Sequence, residues 1–175
     1  PASMTIEVGE GDGEGSPLFR LNTGNKLVYG FVKKTGSSSE ANQPAFNWIG
    51  THASSEWDVL RGDVGIAAFP GEVATFVTLR MSAIDSVESD AQVVVGSGVT
   101  AGSITKSGGS LLLQCASTSL IQYAGDTTIV GSGDQTVVKV HGGSLFSSTT
   151  GILGHYGTIT GATQANPCVI TDAGH

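Results

Sequence analysis

Apolar residues in the second half of the chain come as pairs or triplets that run into a corner of small residues, at a nearly fixed interval. Ile104-Thr-Lys-Ser-Gly-Gly-Ser-Leu111, Leu120-Ile-Gln-Tyr-Ala-Gly-Asp-Thr127, Val138-Lys-Val-His-Gly-Gly-Ser-Leu145, Leu153-Gly-His-Tyr-Gly-Thr-Ile-Thr160 and Val169-Ile-Thr-Asp-Ala-Gly-His175 share the theme. Their corners fall near Gly108, Ala124, Gly142, Gly157 and Ala173, so the intervals are 16, 18, 15 and 16 residues. A repeat of this size with degenerate residues marks a solenoid, because one unit cannot bury its own apolar face and must stack on the next. The spacing predicts an all-β fold, a single-stranded parallel β-helix with coils of 15–18 residues. Each coil then has room for two or three short strands and tight turns.

In parallel coils each residue lies near its counterpart one coil on, so like stacks on like. The inward positions read as Ile104, Leu120, Val138, Leu153 and Val169, one aliphatic per coil, and that column is the expected core. The position ahead of the corner reads Ser107, Tyr123, His141, Tyr156 and Asp172. Tyr123, His141 and Tyr156 are therefore expected to stack as a ladder, with rungs about 4.8 Å apart.

Ahead of the repeat the pattern is less regular. Met4–Val8, Pro17–Leu21 and Lys26–Lys33 read as strands around the acidic glycine loop Gly9–Gly15, which suggests a β-hairpin arm or cap over residues 1–45. The polar stretch Thr35–Pro44 marks a soft boundary. Residues 46–175 are the expected solenoid, with irregular opening coils over 46–102 and regular ones over 103–175. Both tryptophans, Trp48 and Trp57, fall in the opening coils, where large aromatics would close the first exposed rung.

Composition agrees with strands and turns. Gly is 26 of 175 residues, 39% of the chain is hydrophobic and only 13% is charged, which separates it from disordered chains. The net charge of −7 with only 8 Lys and Arg argues against the clustered basic residues that phosphate contacts need, so nucleic acid is not an expected partner. Twelve of the 15 acidic residues precede residue 91, leaving a nearly neutral second half covered by Ser and Thr, a surface suited to life outside a cell. No run reaches the roughly 18 apolar residues of a membrane-spanning helix, and no signal peptide is visible. Cys115 and Cys168 lie about three coils apart, on the order of 14 Å, too far for a disulfide. Both are expected to be free buried thiols.

Candidate chemistry is sparse. Glu10, Asp12 and Glu14 alternate with glycines and offer oxygen ligands of the kind calcium prefers, although a solvated acidic loop reads the same way. Asp58, Asp63 and Glu72 could meet on one face as a glycosidase carboxylate pair, or be ordinary solubilising residues. The stacked rings could hold a sugar or simply stiffen the coils. His52, His141, His155 and His175 have no metal or triad spacing, and Arg61-Gly-Asp63 is too short to carry weight. An ice-binding Thr-x-Thr face appears only at Thr158-Ile-Thr160 and is set aside. No catalytic residue and no cofactor is assigned.

Val64–Leu79, followed by Ala91–Val99 and the Gly-Gly-Ser-Leu coils, resembles Gly/Thr-rich β-solenoid structural proteins of tailed bacteriophages and environmental bacteria, over roughly residues 57–160. The resemblance implies a right-handed β-helix serving as a tail fibre, spike or decoration protein, often trimeric. The expected function is a structural component of a virion or extracellular assembly, with partners that are further copies of the chain, other virion proteins or a glycan. A polysaccharide-binding module or depolymerase of tailspike type is the first alternative, and a bacterial adhesin or filament subunit the second.

Overall fold

The computed structural model describes residues 18–20, 26–29, 44, 46–51, 55–59, 63–81, 92–131, 133–151, 153–155 and 168–172. Fifteen strands run through them: β1 Leu18–Arg20, β2 Lys26–Tyr29, β3 Phe46–Ile49, β4 Glu56–Val59, β5 Asp63–Ile66, β6 Ala74–Met81, β7 Gln92–Val95, β8 Val99–Lys106, β9 Ser110–Leu113, β10 Ser117–Gln122, β11 Asp126–Ile129, β12 Gln135–Val140, β13 Gly143–Ser147, β14 Leu153–His155 and β15 Cys168–Asp172. No helix occurs among the described residues. The odd-numbered strands form one sheet in chain order and the even-numbered strands form the other. Every strand pairs in parallel with the strand two places along the chain. The chain therefore winds as a parallel β-solenoid whose coils each contribute one strand to each sheet.

Alternation explains the strands. In β7, β9 and β11, the second and fourth residues are buried and the first is exposed, as a strand with one face on the lumen requires. In β10 and β12 the first, fourth and sixth residues are buried, so two outward residues stand together. The same break falls at Val77-Thr78 in β6 and Gly102-Ser103 in β8, which gives four coils a stacked bend.

Register sets the core columns. In the even sheet, Trp57, Leu79, Ile104, Leu120 and Val138 are successive partners, and each is buried. Val59, Met81, Lys106, Gln122 and Val140 form the neighbouring column. In the odd sheet the line Trp48, Ile66, Val95, Leu113, Ile129 and Ser147 faces them. Trp48 and Trp57 meet across the lumen with ring centroids 5.0 Å apart.

Four details correct the pattern-based expectations. The column Ile104–Leu120–Val138 does not pass through Leu153, which lies opposite Gln135, while His155 is the partner of Val138. A register shift between Gln135 and Val138 causes the slip. Val169 sits in the odd sheet, opposite Ser144, because the longer connection before β15 moves its place in the coil. β1 and β2 are not a hairpin: each joins a different sheet in parallel, next to β3 and β4. The tryptophans are consequently covered by a further coil and pack inside the core, not at its end. The opening coils are also longer than 15–18 residues, with steps of 22 from Trp57 to Leu79 and 25 from Leu79 to Ile104. Such insertions cost little when they leave the ladder intact.

Candidate functional site

The corner that follows β8, β10 and β12 carries the densest side-chain chemistry of the described chain. Its turn is built on Gly109, Gly125 and Gly143, whose φ angles are +73°, +79° and +78°. A side chain is doubly disfavoured there: a Cβ at Gly125 would lie 2.2 Å from the Gly109 carbonyl oxygen, and one at Gly143 2.1 Å from that of Gly125. The glycines thus let successive corners nest, and nesting brings the preceding residues into line.

Outside the corner, Tyr123 and His141 stack, with ring centroids 4.9 Å apart and planes 12° from parallel. Ladder bonds fix their spacing, Tyr123 N donating to Lys106 O at 2.8 Å and His141 N to Gln122 O at 2.7 Å. Tyr123 is 51% exposed. Each ring gives one face to the other. Tyr156, the third ring expected in the ladder, lies outside the described residues.

Inside the same corner sit two polar side chains with no solvent exposure, Lys106 and Gln122. Lys106 Nζ donates to Gly109 O at 2.9 Å and Asp126 O at 2.6 Å. Gln122 Nε2 donates to Gly125 O, Gly142 O and Ser144 O at 2.9, 3.0 and 3.1 Å, while Thr127 Oγ1 donates to Gln122 Oε1 at 2.6 Å. At the opposite corner Gln135 Nε2 donates to Cys115 O at 2.8 Å, and Ser117 Oγ donates to Gln135 Oε1. Thr149 Oγ1 donates to Gly131 O at 3.2 Å. Lys106, Gln122, Ser117, Gln135 and Thr149 each bond the backbone or a side chain of another coil, so the buried polar groups tie neighbouring turns together.

Asp58 and Glu72 each have partners of their own. Asp58, on the outward face of β4, accepts from Arg80 Nη1 at 3.0 Å, and Glu56 accepts from the same nitrogen at 3.1 Å. The hydrogen bond to Asp58, then that to Glu56, holds the Arg80 guanidinium above its ordinary pKa. Asp63 belongs to the other sheet, opposite Gln92. Glu72 closes the loop after β5, its Oε2 accepting from Asn47 Nδ2 at 2.8 Å and from Phe69 N at 3.0 Å.

Glu10, Asp12 and Glu14 lie outside the described residues, as do His52, His175, Arg61 and Gly62. Among the described residues no group of three His, Cys, Asp or Glu side chains is placed to hold a metal ion. Cys115 is a free, buried thiol, and burial pushes it up to about 12. Cys168 is the register partner of Gly143 in β15.

Sequence reasoning named the aromatic line but missed Lys106, Gln122 and Gln135. A signal was present: Lys106 and Gln122 each follow a core aliphatic, Ile104 and Leu120, by two residues, and a strand's period of two sends both the same way.

No protein-family model, no curated protein and no solved structure matches the chain.

Proposed function

We propose that the protein is a non-enzymatic structural component of a larger assembly, a virion or other extracellular particle, in which the solenoid serves as a stiff building or surface element. The observation that carries this reading is the interior of the later coils, whose buried polar side chains bond the backbones of adjacent turns instead of converging on a substrate-sized site. Such cross-coil bonding resists bending and slippage, the properties a rod needs. The low charge of the second half, a surface of Ser and Thr, fits an extracellular setting. Multi-angle light scattering of the purified chain, with a mass for the particle it enters, tests the reading. A defined homo-oligomer or incorporation into a particle is the expected result. A stable monomer that enters no particle would count against it.

The exposed Tyr123–His141 stack favours a second reading, a glycan-binding surface. Trp48 and Trp57 are fully buried and offer no sugar platform, which weighs against a depolymerase groove built on them. Glycan-array binding that is lost in Tyr123→Ala would favour this reading over the purely structural one.

A further inference from the structure

Lys106 and Gln122 are register partners, and each reaches carbonyls at the same two places in the coil. Gly109 follows Lys106 by three residues, as Gly125 follows Gln122, and both carbonyls accept. The next-coil acceptors, Asp126 O and Ser144 O, are themselves register partners. Gly109 O and Gly125 O also accept ladder bonds from Asp126 N and Ser144 N, each at 3.0 Å, so the side chain engages the second lone pair of each oxygen. Carbonyl oxygens therefore converge on one inward point in each of these two coils. An ammonium fills it in one coil and a neutral amide in the next.

We infer that this inward point is a carbonyl-lined site for a compact monovalent cation, filled in the Lys106 coil by the chain's own tethered ammonium. Carbonyl oxygens present partial negative charge, and an ammonium brought fully out of water must find such acceptors for its three donors. The 2.6 Å contact to Asp126 O is short, as expected when the donor is charged. Removing the tether leaves the same oxygens around a cavity the length of a lysine side chain. Free ammonium or potassium has the charge and compactness to enter it, and choline is too bulky. This inference concerns the corner's ion chemistry and stands whether or not the assembly reading holds.

The test is thermal unfolding of the full chain carrying Lys106→Ala in ammonium, potassium or choline chloride at one ionic strength. Ammonium or potassium is expected to raise the midpoint over choline by on the order of 2–4 °C, or to restore folding if the variant is unfolded in choline. The unsubstituted chain, and Lys106→Gln with its amide in the place Gln122 uses one, are expected to respond equally to all three salts. The site is overturned if Lys106→Ala behaves alike in all three, folded or not. It is also overturned if the unsubstituted chain or Lys106→Gln shows the same cation preference, or if Lys106→Met matches the unsubstituted chain in stability.

Discussion

The coils at 46–81 and those at 92–151 share one backbone ladder and fill it in opposite ways. In the earlier coils the lumen holds Trp48, Trp57, Phe76, Leu79 and Met81, and among the described residues there the buried polar ones are Asn47 and Ser55. In the later coils Lys106, Ser117, Gln122, Thr127, Gln135 and Thr149 are buried and hydrogen-bonded, and Ser147 is buried as well. An apolar interior stabilises through area removed from water and tolerates some slip, since contacts are non-directional. A hydrogen-bonded interior gains less per residue but admits one register, because a shifted coil would strand donors and acceptors out of water. The two interiors thus divide the labour, with stability concentrated in the earlier coils and register fixed in the later ones.

Trp57→Ala attacks the first half of that division and carries the largest expected effect. Its ring has no exposure and packs on Trp48, so truncation leaves a cavity and should cost about 3–5 kcal/mol. Urea unfolding measures it, and a cost below about 1 kcal/mol would show that these rings are not the anchor. Gln122→Leu attacks the second half at nearly constant volume. It leaves the Thr127 hydroxyl without its acceptor and three carbonyls short of a donor, for an expected cost of about 1–3 kcal/mol. A leucine that proves neutral would mean the amide ties nothing together.

How far the sequence revealed this contrast follows from what each feature leaves in the letters. The coil period and the column Ile104, Leu120, Val138 were legible because stacked coils repeat the same residue class at the same place. Leu153 and Val169 left the column because the bulge near Gln135 and the long connection before β15 change position within the coil, and the corner motif carries no mark of either. β1 and β2 read as a hairpin because they are close in sequence, whereas their true partners are β3 and β4. The polar interior went unread because Lys and Gln are surface residues by habit. Only the parity of their positions relative to Ile104 and Leu120 points inward.

A smaller effect comes from Cys115, at the end of the β9 coil. Burial favours the neutral thiol and pushes it up to about 12 from its ordinary value of 9.0. The protonated form is the one the fold prefers, so its contribution is complete below pH 9 and is lost as pH climbs from about 9 towards about 12. The loss is at most about 1.4 kcal/mol per pH unit. Cys115→Ala should remove that part of the alkaline decline, read as the difference between the two unfolding free energies from pH 8 to 11. Parallel curves would place the thiol in contact with water.

The smallest expected effect isolates the outside of the ladder from its inside. Arg80 and Met81 are paired with Thr105 and Lys106, so Arg80 and Lys106 are cations on adjacent coils, one place apart along the strand and on opposite faces of one sheet. Arg80 meets Glu56 and Asp58 in water, with 44% of its side chain exposed. Its ion pairs should contribute about 0–1 kcal/mol and fade in 1 M salt, since exposed charges are screened over a few ångströms there. Arg80→Gln is thus expected to shift the urea midpoint barely at low salt and not at all at high salt. Lys106→Met should keep most of its cost in both, because the methionine chain still fills the lumen in front of the Gly109 and Asp126 carbonyls and keeps solvent ions from them. If the two variants showed the same salt dependence, the position of a charge relative to the ladder would not decide its contribution, and the contrast between the two interiors would lose its physical basis.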